Sequence, residues 1–169
     1  TQSQLLLGPG QGVVVLKPKA RDVTVEETKF FVEASNLFLP GPGVVDGRHQ
    51  FNIRTSQGQV SELTLLVPNG LTVSDVGGPI GSWQFDADDG RLTLEVSPAQ
   101  SRPFNITVET QRGLEPLPTD VKLAPLRVDD ANGEVGLVAI AFGPDAQPET
   151  LQPQQMSTVN VGDFDFSLN

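Results

Sequence analysis

The chain contains no cysteine and no tyrosine, and only one histidine, one tryptophan and one methionine. Without cysteine there is no disulfide, no thiolate nucleophile and no cysteine-held metal. A single histidine, His49, rules out a multi-histidine zinc site, and the lack of tyrosine removes a common polar-aromatic anchor for ligands. Positive charge is also scarce: 11 Lys and Arg face 21 Asp and Glu, a formal net charge of −10. Affinity for a phosphate backbone comes from neutralising cations, so no nucleic-acid partner is expected. The densest basic group, Lys17, Lys19 and Arg21, reads as a solvated face. No apolar run approaches the roughly 20 residues of a membrane-crossing helix, so this segment is expected to carry no membrane span. The opening TQSQLLLGPGQG lacks the basic region of a signal peptide, and a start at Thr1 points to a processed or excised segment.

What remains is a chain of 169 residues with 37% apolar content, mostly Val, Leu, Ile and Phe distributed along its whole length. That length suits one domain, 1–169, and a continuous core without staples. Alternation with a period of two recurs, the mark of strands buried on one face. Leu63, Leu65 and Val67 share one parity, as do Leu92, Leu94 and Val96, and Phe104, Ile106 and Val108. Further strand candidates are QGVVVLK, VTVEETKFFVEASNLFL, HQFNIRT, TDVKLAPLRV, EVGLVAIAF and STVNVGDFDFSL. The run from Val60 to Val96 reads as a meander, with Pro68-Asn69-Gly70, Asp89-Gly90 and, further on, Asn132-Gly133 supplying tight hairpin turns. GLVAIAF is apolar on both parities, which predicts a central strand buried on both faces. Residues 143–155, rich in Gln, Pro and Glu, read as a long loop or arm before a final strand. No segment has a helical period, and 14 prolines and 17 glycines interrupt any that begins. The expectation is an all-β fold, an antiparallel β-sandwich of roughly 10–13 strands with little or no helix.

Few residues suggest chemistry. Asp86, Asp88, Asp89 and Gly90 could supply hard oxygen ligands to calcium, but the glycine falls one position early for an EF-type loop and Glu95 stands at no matching position. A hairpin turn accounts for the same residues. Asp129, Asp130, Asn132 and Glu134 pose the same alternative, with an Asn-Gly turn preferred. His49 is in phase with Phe51 and Ile53, so its side chain is expected to point inward in a structural role. No G-x-S-x-G elbow is present, and Ser82 precedes a tryptophan at the start of a strand, which is not nucleophile geometry. Paired carboxylates of a glycoside hydrolase are open by count, yet such clefts are lined with aromatics and this chain has one Trp and no Tyr. Trp83 alternates with Phe85, which predicts a core position beneath a hairpin; its alternative role is a sugar-stacking platform. Asn105-Ile106-Thr107 matches a glycosylation sequon within a strand, where an accidental match is the simpler reading.

The segments LTLLVPNGLTVSDVGG, GSWQFDADDGRLTLEV and EVGLVAIAF, with Pro68, Gly70, Leu71, Val73, Trp83, Gly90 and Leu92 as their fixed points, resemble β-rich segments of large bacterial cell-envelope and surface proteins. The resemblance covers about residues 50–142 and consists of packing and turn signals. It implies a non-catalytic structural or protein-interaction module, with a protein partner or neighbouring domains of the parent chain, in the cell envelope or outside the cell, and it supplies no catalytic residue. The alternative from another class is a carbohydrate-binding module using Trp83, with calcium held by Asp86, Asp88 and Asp89. A small hydrolase working through acidic residues is a third. No cofactor is expected, calcium in that alternative apart.

Overall fold

The computed structural model describes residues 27–168. They form nine strands: β1 (Lys29–Gly41), β2 (Val44–Gln57), β3 (Val60–Leu66), β4 (Thr72–Gly77), β5 (Ile80–Asp86), β6 (Arg91–Gln100), β7 (Phe104–Gly113), β8 (Arg127–Val128) and β9 (Gly133–Ile140). A five-stranded sheet, β4-β7-β2-β1-β9, packs on a four-stranded sheet, β5-β6-β3-β8. The fold is the expected β-sandwich. Every strand pair is antiparallel except β1 and β9, which run parallel from Phe31 opposite Gly133 to Phe38 opposite Ile140.

Alternation builds the core. Val45, Phe51 and Ile53 of β2, Phe104, Ile106 and Val108 of β7, and Leu92, Leu94 and Val96 of β6 are all buried, while their odd-step neighbours face out. Each fully buried Leu, Ile or Phe contributes about 1.5–3 kcal/mol by leaving water. In β3 the inward set changes parity between Val60 and Leu63, and an irregularity between Val60 and Glu62 absorbs the extra residue.

Of the meander expected from Val60 to Val96, only the β5–β6 hairpin forms. Only β1–β2 and β5–β6 are successive partners; every other connection carries the chain from one sheet to the other, so β3 pairs with β6 and β4 with β7. The turn at Pro68–Leu71 forms as read, with Leu71 N–H donating to Pro68 O (3.2 Å) and Gly70 at φ 87°, but it turns a corner between sheets. Asp89-Gly90 closes the β5–β6 hairpin, with Gly90 at φ 63°. Between β8 and β9 the positive φ falls on Asp130 (58°), not on Asn132 or Gly133.

Among the described strands GLVAIAF lies at an edge and not in the centre expected for it: β9 ends the order of the five-stranded sheet, Val138 and Ile140 pack half-buried against the core, and Val135 is 65% exposed. Among the other strand candidates, QGVVVLK lies outside the described residues, TDVKLAPLRV contributes only Arg127–Val128, and STVNVGDFDFSL forms single 3-10 turns at Val161–Asp163 and Phe166–Leu168. The arm at 143–155 therefore leads to no strand. Its end reaches the outer face of the five-stranded sheet, where Arg48 Nη1–H donates to Leu168 O (2.8 Å). Leu37, opposite Arg48 in register and of outward parity, is nevertheless fully buried there.

Candidate functional site

Three buried polar side chains lie on the inner face of the five-stranded sheet: Asn36 on β1, His49 on β2 and Thr110 on β7. Asn36 Oδ1 accepts the Leu126 N–H at 3.2 Å and lies 2.7 Å from His49 Nδ1. An oxygen already accepting from a backbone amide faces the ring as an acceptor, so Nδ1 carries the imidazole proton. Nε2, 2.9 Å from Thr110 Oγ1, then accepts from that hydroxyl. The ring also meets Phe38 edge-on, with centroids 5.4 Å apart. Burial pushes His49 down from 6.5 to about 4, so the ring is neutral at pH 7. Asn36 Nδ2 has no hydrogen-bond partner among the described residues. Gly47 makes this arrangement possible, because a Cβ there would meet Thr110 Oγ1 and His49 Nε2. His49 is 1% exposed and committed on both nitrogens, which suits it to holding strands together and leaves no face for a substrate.

The acidic loops are used locally. Asp86 Oδ1 accepts from the N–H groups of Asp88 (3.0 Å) and Asp89 (3.3 Å), closing the β5–β6 turn. Asp129 accepts from Arg91 (2.6 Å) and from Asp130 N–H, while Glu134 Oε2 accepts from Arg127 Nε (3.0 Å) and Val128 N–H. Among the described residues, no three acidic or histidine side chains come together in the manner of a metal site. Ser82 Oγ–H donates to Glu95 Oε2 at 2.6 Å on the exposed side of β5.

Trp83 corrects the core expectation. Its parity is inward, paired with Leu94 in register and in phase with Phe85, but among the described strands β5 lies at an edge and the facing edge strand β4 is short. The indole therefore overhangs the open side of the sandwich and is 40% exposed.

The edge at β9 was not readable in advance as a surface. Ala141 N–H donates to Phe38 O (2.9 Å), and with the residue-by-residue register to β1 this places the N–H and C=O groups of Glu134, Gly136, Val138 and Ile140 on the open side. No described strand pairs there. The other edges carry protection: β4 has an irregularity between Val73 and Asp75, β5 one between Ile80 and Ser82, and β8 is two residues long. From Val135 to Ile140, β9 has no charge, no proline and no irregularity. Beside it a shallow groove of about 240 Å³ is lined by Phe31, Glu33, Arg54 and Val135, with Phe31 49% exposed.

No protein-family model and no curated protein matches this chain. Among solved structures, the M1 zinc metallopeptidase from Deinococcus radiodurans is similar over 53% of this chain and 21% of its own, at 11% identity and a TM-score of 0.35. A variant of that peptidase bound to a Tyr-Ser-Ala substrate is similar over 56% of this chain and 23% of its own, at 14% identity and a TM-score of 0.34. The match thus spans under a quarter of the peptidase, and none of its chemistry is carried to this chain.

Proposed function

We propose that this chain is a non-catalytic structural or protein-interaction module of a larger bacterial envelope or surface protein, and that it engages its partner by accepting an extended segment alongside β9. The observation that carries this reading is an edge that no described strand pairs: four residues present main-chain donors and acceptors outward on a strand that is apolar on both faces from Val135 to Ile140. Such an edge is complementary to another strand, with main-chain hydrogen bonds supplying affinity and alternate side chains supplying selectivity. Phe31 and Val135 add exposed apolar surface beside it.

The test is backbone-amide mapping by NMR with a lysine-flanked threonine–valine repeat peptide as the probe. Shift changes concentrated on Glu134, Gly136, Val138 and Ile140 support strand addition. Changes centred on β4 or β5, or amides at Gly136 and Val138 already protected from exchange in the free protein, contradict it.

A second reading keeps one specific observation, the exposure of Trp83, and makes the open β4–β5 side a sugar-stacking surface. It requires Trp83 fluorescence to respond to a soluble polysaccharide. An emission unchanged at saturating polysaccharide removes it.

A further inference from the structure

We propose that the hydrogen-bonded chain Leu126–Asn36–His49–Thr110 is an acid-sensitive latch between the two sheets, one that loosens when His49 takes up a proton. The geometry sets the latch. Asn36 Oδ1 receives Leu126 N–H from the segment that enters β8 of the four-stranded sheet and His49 Nδ1–H from β2 of the five-stranded sheet, so one oxygen ties both layers. Thr110 extends the tie to β7.

A proton on Nε2 turns that nitrogen from acceptor to donor, and the Thr110 hydroxyl that donates to it must rotate away. Among the described residues the new charge meets no counter-ion. From β1 it is faced by Asn36 and Phe38, from β7 by Val108 and Thr110, and from the approach to β8 by Leu126. The buried inward residues of the opposing sheet, on β3, β6 and β8, are all apolar. The charged neighbours in register, Arg48 and Glu109, occupy the outward parity. An unpaired cation in such a core is strongly disfavoured.

The sign follows from linkage. In the unfolded chain the ring binds its proton near 6.5, whereas burial holds it off until about 4. Stability is full above pH 6.5, falls as pH drops from 6.5 to 4, and levels off below. Over that interval the unfolding equilibrium constant rises by up to about 300-fold from this one group. His49 is the only histidine, so no other imidazole shares the interval.

Chemical denaturation of the full chain and of His49→Gln between pH 7.5 and pH 4.5 is the test. The ratio of the two unfolding constants is expected to climb close to tenfold per pH unit below 6.5. Parallel pH profiles overturn the proposal. Should His49→Gln fail to fold, the native protein still decides. On acidification its His49 ring proton resonances should hold their neutral positions to below pH 5.5, and the Leu126 amide should exchange faster before the β2–β7 amides do. A ring titrating near 6.5 in the folded state, or a Leu126 amide that opens only with the whole molecule, refutes it.

Discussion

Gly47→Ala places a methyl group against Thr110 Oγ1 and 2.6 Å from His49 Nε2, in the middle of a strand paired on both sides. β2 cannot shift to admit it, because Gly47 stands opposite Phe38 on one side and Thr110 on the other. Overpacking of this kind costs about 1–3 kcal/mol. Separating His49 from Thr110 leaves a buried acceptor unpaired, about 1–3 kcal/mol more. The stiffer unfolded chain returns about 0.4–1 kcal/mol. The net expectation is a loss of about 3 kcal/mol, read at pH 7.5 by urea denaturation as a lower midpoint with an unchanged slope. A second variant locates the cause. Thr110→Ala alone removes the donor to His49, but in the Gly47→Ala background it also removes the atom the methyl strikes. The double variant should then be more stable than the sum of the singles by over ~1 kcal/mol. A Gly47→Ala cost below about 0.5 kcal/mol, or strict additivity with Thr110→Ala, would refute the account of the core.

Trp83→Ala should cost under about 1.5 kcal/mol because the indole is 40% exposed, whereas Leu94→Ala, its fully buried cross-strand neighbour, should cost about 2–5 kcal/mol by thermal or urea denaturation. Asp86→Ala frees the Asp88 and Asp89 amides and should cost about 1 kcal/mol. If those carboxylates serve the turn alone, millimolar calcium leaves the melting temperature of the native protein unchanged; a rise with calcium would assign them to a metal instead.

Side-chain parity was legible, as was the β5–β6 hairpin at Asp89-Gly90, but partnership between strands distant in sequence was not. Leu92, Leu94, Phe104, Ile106 and Val108 point inward as their alternation requires, and His49 does so with Phe51 and Ile53. Turn chemistry at Pro68–Gly70 was equally plain, but a turn that reverses direction serves equally to join neighbours in one sheet or to cross between two. Position within a sheet was hidden for the same reason. Among the described strands Trp83 has core parity at an edge, and β9 has the composition of a central strand at an edge. Asn36 carried a usable signal, a polar residue at the inward phase of Phe30, Val32 and Ala34, although nothing local tied it to His49 or Thr110. Near the C-terminus the alternation in VNVGDFDF was overridden locally: Asp165 Oδ1 accepts Ser167 N–H (2.9 Å), and the backbone closes into a turn instead of seeking a ladder.

Gly136→Pro tests strand addition at β9 most directly. Its N–H points to the open side, so proline removes an outward donor while the bonds to β1 remain, and a Cβ there makes only ordinary contact with Ala34 at 3.4 Å. Calorimetric titration of the native chain and of Gly136→Pro with the threonine–valine probe peptide is the measurement, accompanied by a urea denaturation of each. The account predicts binding lost by tenfold or more with stability held within about 1 kcal/mol. Equal affinity in a folded Gly136→Pro variant would contradict it.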